Sequence, residues 1–329
     1  MRGAFVFLML AACGGSESTT NDGGLDAAGD DDVTTSDVQT QDVGPDVSPP
    51  SDAGACGMRT GKRGLTQRTM QQGNLVRTYE VYLPQSLDPK TSVPIVIVHH
   101  GYTMSGDAMR VITQYSALAD TENIAVVFPD GEGGPNSLGA PWNVGQGNCP
   151  STTGPVPVAT GDDFAFDEAM RADVEQDQCV DEKHTFVTGF SMGGYFSHHI
   201  GCMRPDFARA VAPHSGGTHD FSTCAAGHEP VIVFHGDSDP IISVSCDDDA
   251  VQKWIVKNGC QTTGNAVSVK GGTCTYYDGC PADGQVAYCK FSGLGHAWAG
   301  GAADGGIFSN PNYEAATQLE WAFFKKYAW

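Results

Sequence analysis

The stretch Thr185-Phe186-Val187-Thr188-Gly189-Phe190-Ser191-Met192-Gly193-Gly194-Tyr195-Phe196-Ser197-His198-His199-Ile200 decides the fold. A β-branched, apolar run leads into Gly189-Phe190-Ser191-Met192-Gly193, and a helix-like run leaves it. Strand, G-x-S-x-G and helix form the context that a nucleophile elbow requires. The reason is steric. Gly189 and Gly193 carry no Cβ, so strand and helix can approach closely around a serine held on a strained turn. The hydroxyl is then pushed out of the sheet. The backbone N–H of Met192 falls at the helix N-terminus, where it can stabilise a developing oxyanion. A glycine-rich turn with a surface serine is the competing reading, so the partners of Ser191 decide.

Outward from this stretch, apolar strands alternate with helical segments. Val93-Pro94-Ile95-Val96-Ile97-Val98-His99 is continuously apolar, as expected of a strand buried on both faces of a parallel sheet. It ends in His100-Gly101-Tyr102-Thr103, with one helix predicted over residues 106–120. Residues 123–128 and Pro230-Val231-Ile232-Val233-Phe234-His235 read as further buried strands. Residues 77–84 read as an early, alternating strand. Asp162-Asp163 caps a helix running towards Gln178. Further strands are predicted over 209–213 and 286–291. A helix is expected at 251–257, and a last amphipathic one over 313–327. The alternation gives an α/β fold with a mostly parallel central sheet, helices on both faces and right-handed crossovers.

A serine hydroxyl is a poor nucleophile at neutral pH and needs a base that is itself oriented by a carboxylate. In α/β-hydrolase order, acid and then histidine follow the serine. The strand ending at His235 runs into Gly236-Asp237-Ser238-Asp239-Pro240, on the same sheet edge as the elbow. Asp239 is the expected acid and Asp237 its alternative. His296, in Gly293-Leu294-Gly295-His296-Ala297-Trp298, is the expected base. His99, His100, His198, His199, His214 and His235 are assigned to packing, supporting or loop roles. The second oxyanion donor is expected from the N–H of Tyr102, paired with that of Met192. The Tyr102 ring is also expected to wall the substrate site. Trp142 and Trp298 are placed beside the cleft as substrate contacts, with a core position the alternative for each. No metal-binding spacing is present, and no cofactor is implied.

Composition sets the outer limits. The 329 residues carry a net charge of −21, which excludes a simple nucleic-acid binder. Eleven cysteines point to an oxidising compartment. Met1-Arg2, the short apolar run at residues 4–10 and Leu10-Ala11-Ala12-Cys13 resemble a lipoprotein signal, with Cys13 the lipidated residue. Membrane attachment is expected only through that anchor. Setting Cys13 aside leaves an even number of cysteines. Residues 14–55 are rich in Asp, Gly, Ser and Thr, without Lys, Arg or aromatics, and read as a disordered acidic linker. Residues 56–329 are the catalytic domain, expected as a monomer.

Several motifs together resemble one family. They are His100-Gly101, Trp142-Asn143, Asp162-Asp163-Phe164, Cys179-Val180-Asp181, the elbow, Ala212-Pro213, His235-Gly236-Asp237-Ser238-Asp239-Pro240 and Gly295-His296-Ala297-Trp298. The set, over roughly residues 75–327, is similar to the polyhydroxybutyrate depolymerase and feruloyl/acetylxylan esterase family of secreted α/β-hydrolases. The resemblance implies Ser191 as nucleophile, Asp239 as acid and His296 as base. Its implied substrate is a polyhydroxyalkanoate-type polyester, or a feruloyl or acetyl ester of plant polysaccharide. Two departures stand out. Gly101-Tyr102-Thr103 with Ser191-Met192 looks like the oxyanion loops of cutinases and polyester hydrolases, and Trp298-Ala299-Gly300 replaces Trp-Pro-Gly. The placement also implies a Cys202–Cys224 disulfide and pairing of Cys260, Cys274, Cys280 and Cys289 among themselves. A peptidase or acyltransferase of the same fold, and a surface binding module with a dead triad, are the alternatives.

Overall fold

The computed structural model describes residues 56–328 apart from 58, 60, 135–139, 146–148, 150, 153, 155–156 and 219. The expected signal segment with Cys13, and nearly all of the acidic linker, lie outside the described residues. The first strands are β1 (Gly64–Gln72), β2 (Leu75–Leu83), β3 (Val93–His99) and β4 (Ala125–Pro129). They are followed by β5 (Val180–Phe190), β6 (Ala210–His214), β7 (Val231–Gly236), β8 (Gly264–Val269), β9 (Gly272–Tyr277) and β10 (Val286–Phe291). These ten form one sheet in the order β1-β2-β4-β3-β5-β6-β7-β10-β9-β8. The six strands from β4 to β10 run parallel. Antiparallel strands flank them on both sides.

Parallel strands need covering on both faces because their side chains alternate between them. In β3, Ile95 and Ile97 join one core and Val96 and Val98 the other. Helices α3 (Asp163–Asp177), α4 (Met192–Met203) and α5 (Val244–Asn258) cover the first face. Helices α1 (Gly106–Thr113), α2 (Tyr115–Glu122) and α6 (Ala316–Phe324) cover the second. The α/β-hydrolase architecture expected from the sequence is therefore present.

The segment expected as one helix over 106–120 is two. Thr113 Oγ1 donates back to Met109 O at 2.7 Å, and Gln114 then adopts a left-handed conformation with φ 58°. The last helix starts at Ala316, three residues later than expected. Tyr313 is held out of it by its hydroxyl, which donates to Ser292 O at 3.0 Å.

Five disulfides cross-link the described residues. Cys202–Cys224, Cys260–Cys280 and Cys274–Cys289 agree with the pairing the family resemblance implied. Cys56–Cys179 ties the start of the described chain to the entrance of β5, and Cys149–Cys246 ties the loop after β4 to α5.

The Trp142-Asn143 and Asp162-Asp163 motifs meet at a buried ion pair. Arg77 Nη2 on β2 lies 2.7 Å from Asp163 Oδ1, with both side chains fully buried. The guanidinium sits 3.9 Å over the Phe166 ring, and Asp163 Oδ2 accepts from Asn143 N at 2.6 Å. Removing one member strands the other without solvent. Arg77→Ala is expected to cost about 3–5 kcal/mol of stability, read by urea denaturation.

Candidate active site

Every sequence-expected catalytic residue lies beyond the carboxyl end of a parallel strand. In open α/β sheets that edge is where ligands bind. The register aligns the ends: His99 pairs with Gly189, Phe190 with His214, and His214 with Phe234.

Ser191 has φ 55° and ψ −114°, a conformation that L-residues hold only when their surroundings force it. Those surroundings are backbone. A Cβ on Gly189 would lie 2.4 Å from Gly193 O, and one on Gly193 would lie 2.3 Å from His99 O. A Cβ on Gly194 would lie 2.5 Å from His214 O. The first turn of α4 is thus wedged against the ends of β3, β5 and β6. The Ser191 N–H donates to His214 O at 2.9 Å, and Ser191 itself is partly exposed.

The loop after β3 abuts the serine. A Cβ on Gly101 would lie 3.1 Å from Ser191 Cβ. His100 orders this loop. The Gly131 N–H donates to His100 Nε2 at 2.9 Å, so the ring proton is on Nδ1, which donates to Gly101 O at 2.7 Å. Burial lowers the His100 pKa to about 4, which keeps the ring neutral in that arrangement. Tyr102 is half-buried on this loop, and Met192 is the first residue of α4.

His296 and Asp239 meet as expected, with Nδ1 2.6 Å from Asp239 Oδ2. The imidazole lies 4.7 Å from the Phe190 ring, next to the elbow. The other Asp239 oxygen accepts from the N–H groups of Ile241 at 2.8 Å and Ile242 at 2.9 Å. Burial opposes ionisation of Asp239, but hydrogen bonds from His235, His296 and Ile242 hold its pKa well below the ordinary carboxylate range. Asp237, the alternative acid, is exposed. It accepts from Gly293 N at 2.7 Å and so anchors the loop that carries His296.

The two expected tryptophan contacts are corrected by the structure. Trp142 is 0 % exposed and Trp298 1 % exposed, so both are core residues. A buried indole needs a partner for its N–H. Trp142 Nε1 donates to His100 O at 2.8 Å, and Trp298 Nε1 donates to Thr317 Oγ1 at 3.1 Å. Trp298 also stacks on His214, with centroids 3.6 Å apart. Both support the site from behind. The remaining histidines have the packing and supporting places expected of them. His99 Nε2 meets Asp167 Oδ1 at 3.1 Å, His214 Nε2 meets Glu320 Oε2 at 2.8 Å, and His199 packs on Phe164.

Sequence reasoning missed Asp247, a buried carboxylate on α5 bonded to both His198 and His235. A signal for it existed. Asp247 shares the apolar helix face of Ala250, Val251 and Trp254, where a carboxylate needs a special partner.

The chain is similar to known esterases. A family model described as "Putative esterase" matches residues 72–238. Feruloyl esterase C of Emericella nidulans is 30% identical over 231 residues, covering 67% of this chain and 76% of that protein. Feruloyl esterase D of Neurospora crassa is 28% identical, over 76% of this chain and 84% of that protein. Among solved structures, the acetyl xylan esterase of Aspergillus awamori matches with a TM-score of 0.56 at 14% identity, covering 79% of this chain and 99% of the other. The chain belongs to the feruloyl esterase family, with the α/β-hydrolase fold, and is a carboxylic-ester hydrolase.

Proposed function

We propose that the chain hydrolyses feruloyl esters of plant polysaccharide outside the cytoplasm, through a Ser191-His296-Asp239 triad. The observation that carries the triad is the 2.6 Å contact of His296 Nδ1 with Asp239 Oδ2, in an imidazole packed on Phe190, the residue before the strained Ser191. Ser191 Oγ attacks the ester carbonyl carbon while His296 Nε2 takes its proton. Asp239 fixes the tautomer and stabilises the imidazolium. The N–H groups of Tyr102 and Met192 bind the oxyanion. The tetrahedral intermediate collapses, and His296 protonates the departing alkoxide. Water then attacks the acyl-enzyme with His296 again acting as base. The Tyr102 ring forms part of the substrate wall.

The substrate class is supported by the similarity of the chain to the feruloyl esterases of Emericella nidulans and Neurospora crassa. The extracytoplasmic location is supported by the five disulfides, which persist in oxidising compartments. Attachment through a lipidated Cys13, and a monomeric state, complete the reading. The test is side-by-side hydrolysis of methyl ferulate, acetylated xylan and a polyhydroxybutyrate film by the full chain. Ferulate release as the dominant activity is expected. Acetate release alone would move the substrate to acetylated polysaccharide. Hydroxybutyrate release alone would overturn the polysaccharide assignment and give the Tyr102 loop a polyester-facing role.

A further inference from the structure

Behind the acid of the triad lies a second buried array that the ester chemistry does not by itself require. His235, the second-to-last residue of β7, is 1 % exposed. Its Nε2 lies 3.0 Å from Ile242 O and 3.3 Å from Asp239 Oδ2, the same oxygen that meets His296. Its Nδ1 lies 2.6 Å from Asp247 Oδ2. A carbonyl oxygen only accepts, so Nε2 carries a proton. The proton state of Nδ1 then depends on Asp247.

The neighbours of Asp247 settle it. Trp254 Nε1–H donates to His198 Nδ1 at 2.9 Å, so His198 carries its proton on Nε2 and donates it to Asp247 Oδ1 at 3.1 Å. Gly216 N–H donates to Asp247 Oδ2 at 3.2 Å. These N–H donors, one on each oxygen, stabilise Asp247 as the carboxylate, and opposite a carboxylate Nδ1 of His235 is a donor too.

We infer that His235 is a permanently charged imidazolium, buried between Asp239 and Asp247, and that it acts as a positioning residue for the catalytic acid. This rests on the triad reading above. The bridge pins Asp239 Oδ2 towards His296 and keeps it ionised. Its charge also offsets that of Asp247, so the array carries the single net negative charge that one isolated acid would supply.

Electrostatics agree with the hydrogen bonding. Burial opposes charge on His235, but Asp247 and Asp239 together raise its pKa to about 10. Asp247 is correspondingly held down to about 2, against its own burial, by His235 and His198. The titratable groups around His235 are Asp239 beyond β7, Asp247 on α5, His198 and Tyr195 on α4, His214 on β6, Tyr288 on β10 and His296. Burial raises the two tyrosines and lowers His214, so these three stay neutral.

Two measurements test this. The first is nitrogen NMR of the intact, histidine-labelled protein at about pH 8, above the ordinary histidine pKa of about 6.5. Both ring nitrogens of His235 should still be protonated. A neutral His235 ring at that pH overturns the inference, whatever the activity. The second uses His235→Asn, which keeps a donor towards Asp247 but deletes the charge and the link to Asp239.

In His235→Asn the negative charges of Asp239, which meets His296, and of Asp247 behind it are no longer offset, so protonated His296 is favoured. The acid limb of kcat/KM should move up by about one pH unit. Activity at the plateau should fall on the order of 10–100-fold, as the acid loses its tether. The double variant His235→Asn with Asp247→Asn restores the net charge, and its acid limb should return close to that of the unmodified enzyme. An unmoved limb in a folded His235→Asn, or a limb that fails to return in the double variant, overturns the inference. Failure of the triad reading shows differently, as turnover that survives Ser191→Ala.

Discussion

Ser191→Ala is expected to lower kcat by on the order of 10⁵–10⁶-fold, to the residual rate that oxyanion stabilisation and binding supply without a nucleophile. The thermal midpoint should stay within a few degrees of that of the unmodified protein. The two expectations rest on different observations. In the proposed mechanism activity depends on the Ser191 hydroxyl, the nucleophile that alanine removes. Stability depends on the elbow backbone, which alanine keeps. The φ of 55° at residue 191 is imposed by close packing of Gly189 on Gly193 O in α4, and of Gly193 and Gly194 on His99 O and His214 O at the strand ends. A methyl side chain bears the same backbone cost as a hydroxymethyl. Kinetics with an aryl ester, alongside circular dichroism melting, check both halves at once. A folded Ser191→Ala that retains turnover would exclude the serine mechanism.

Asp239→Asn is expected to lower kcat by about 10⁴-fold, through the wrong histidine tautomer. The structure dictates how the asparagine must sit. Oδ1 of Asp239 accepts two backbone N–H groups, from Ile241 and Ile242, so the amide oxygen of Asn must take that place. Its NH₂ then replaces Oδ2 and points at His296 Nδ1 and at His235 Nε2. Both of those are donors in the native array. His296 can accept from the amide only by moving its proton to Nε2, where it no longer accepts from Ser191. The loss should fall on kcat, with KM nearly unchanged, because the substrate-facing loop is untouched. Steady-state kinetics with methyl ferulate read this split. A folded Asp239→Asn within tenfold of the unmodified enzyme would exclude Asp239 as the acid and return attention to Asp237.

Much of this was legible in the sequence because it is local. The glycines of the elbow, the continuous apolar run of β3 and the His235–Pro240 stretch each carry their meaning within a few residues. What stayed hidden depends on partners distant in the chain. Trp142 looks like a loop aromatic until its indole N–H is found on His100 O, 42 residues away. Trp298 is buried because α6 brings Thr317 to it. The Cys56–Cys179 pairing spans 123 residues and had no sequence signal. Strand β1 was missed because it is polar along its length and alternates between half-buried and exposed positions. It is held at the sheet edge by β2 and by Arg68, whose guanidinium meets Asp173 and Asp177 on α3. The β8–β9 hairpin, largely exposed on β8, was missed for the same reason: it builds on the edge of a sheet that must already exist.

The central claim is that Ser191 forms the acyl-enzyme. The most direct measurement is intact-mass analysis and peptide mapping after reaction with an aryl alkylphosphonate, which arrests serine hydrolases at a stable adduct on the nucleophile. One adduct per chain, located on Ser191, formed in step with loss of esterase activity and absent from Ser191→Ala, is the predicted result. Stoichiometric inactivation with the adduct on any other residue would contradict the account, as would full activity in a protein whose Ser191 is modified.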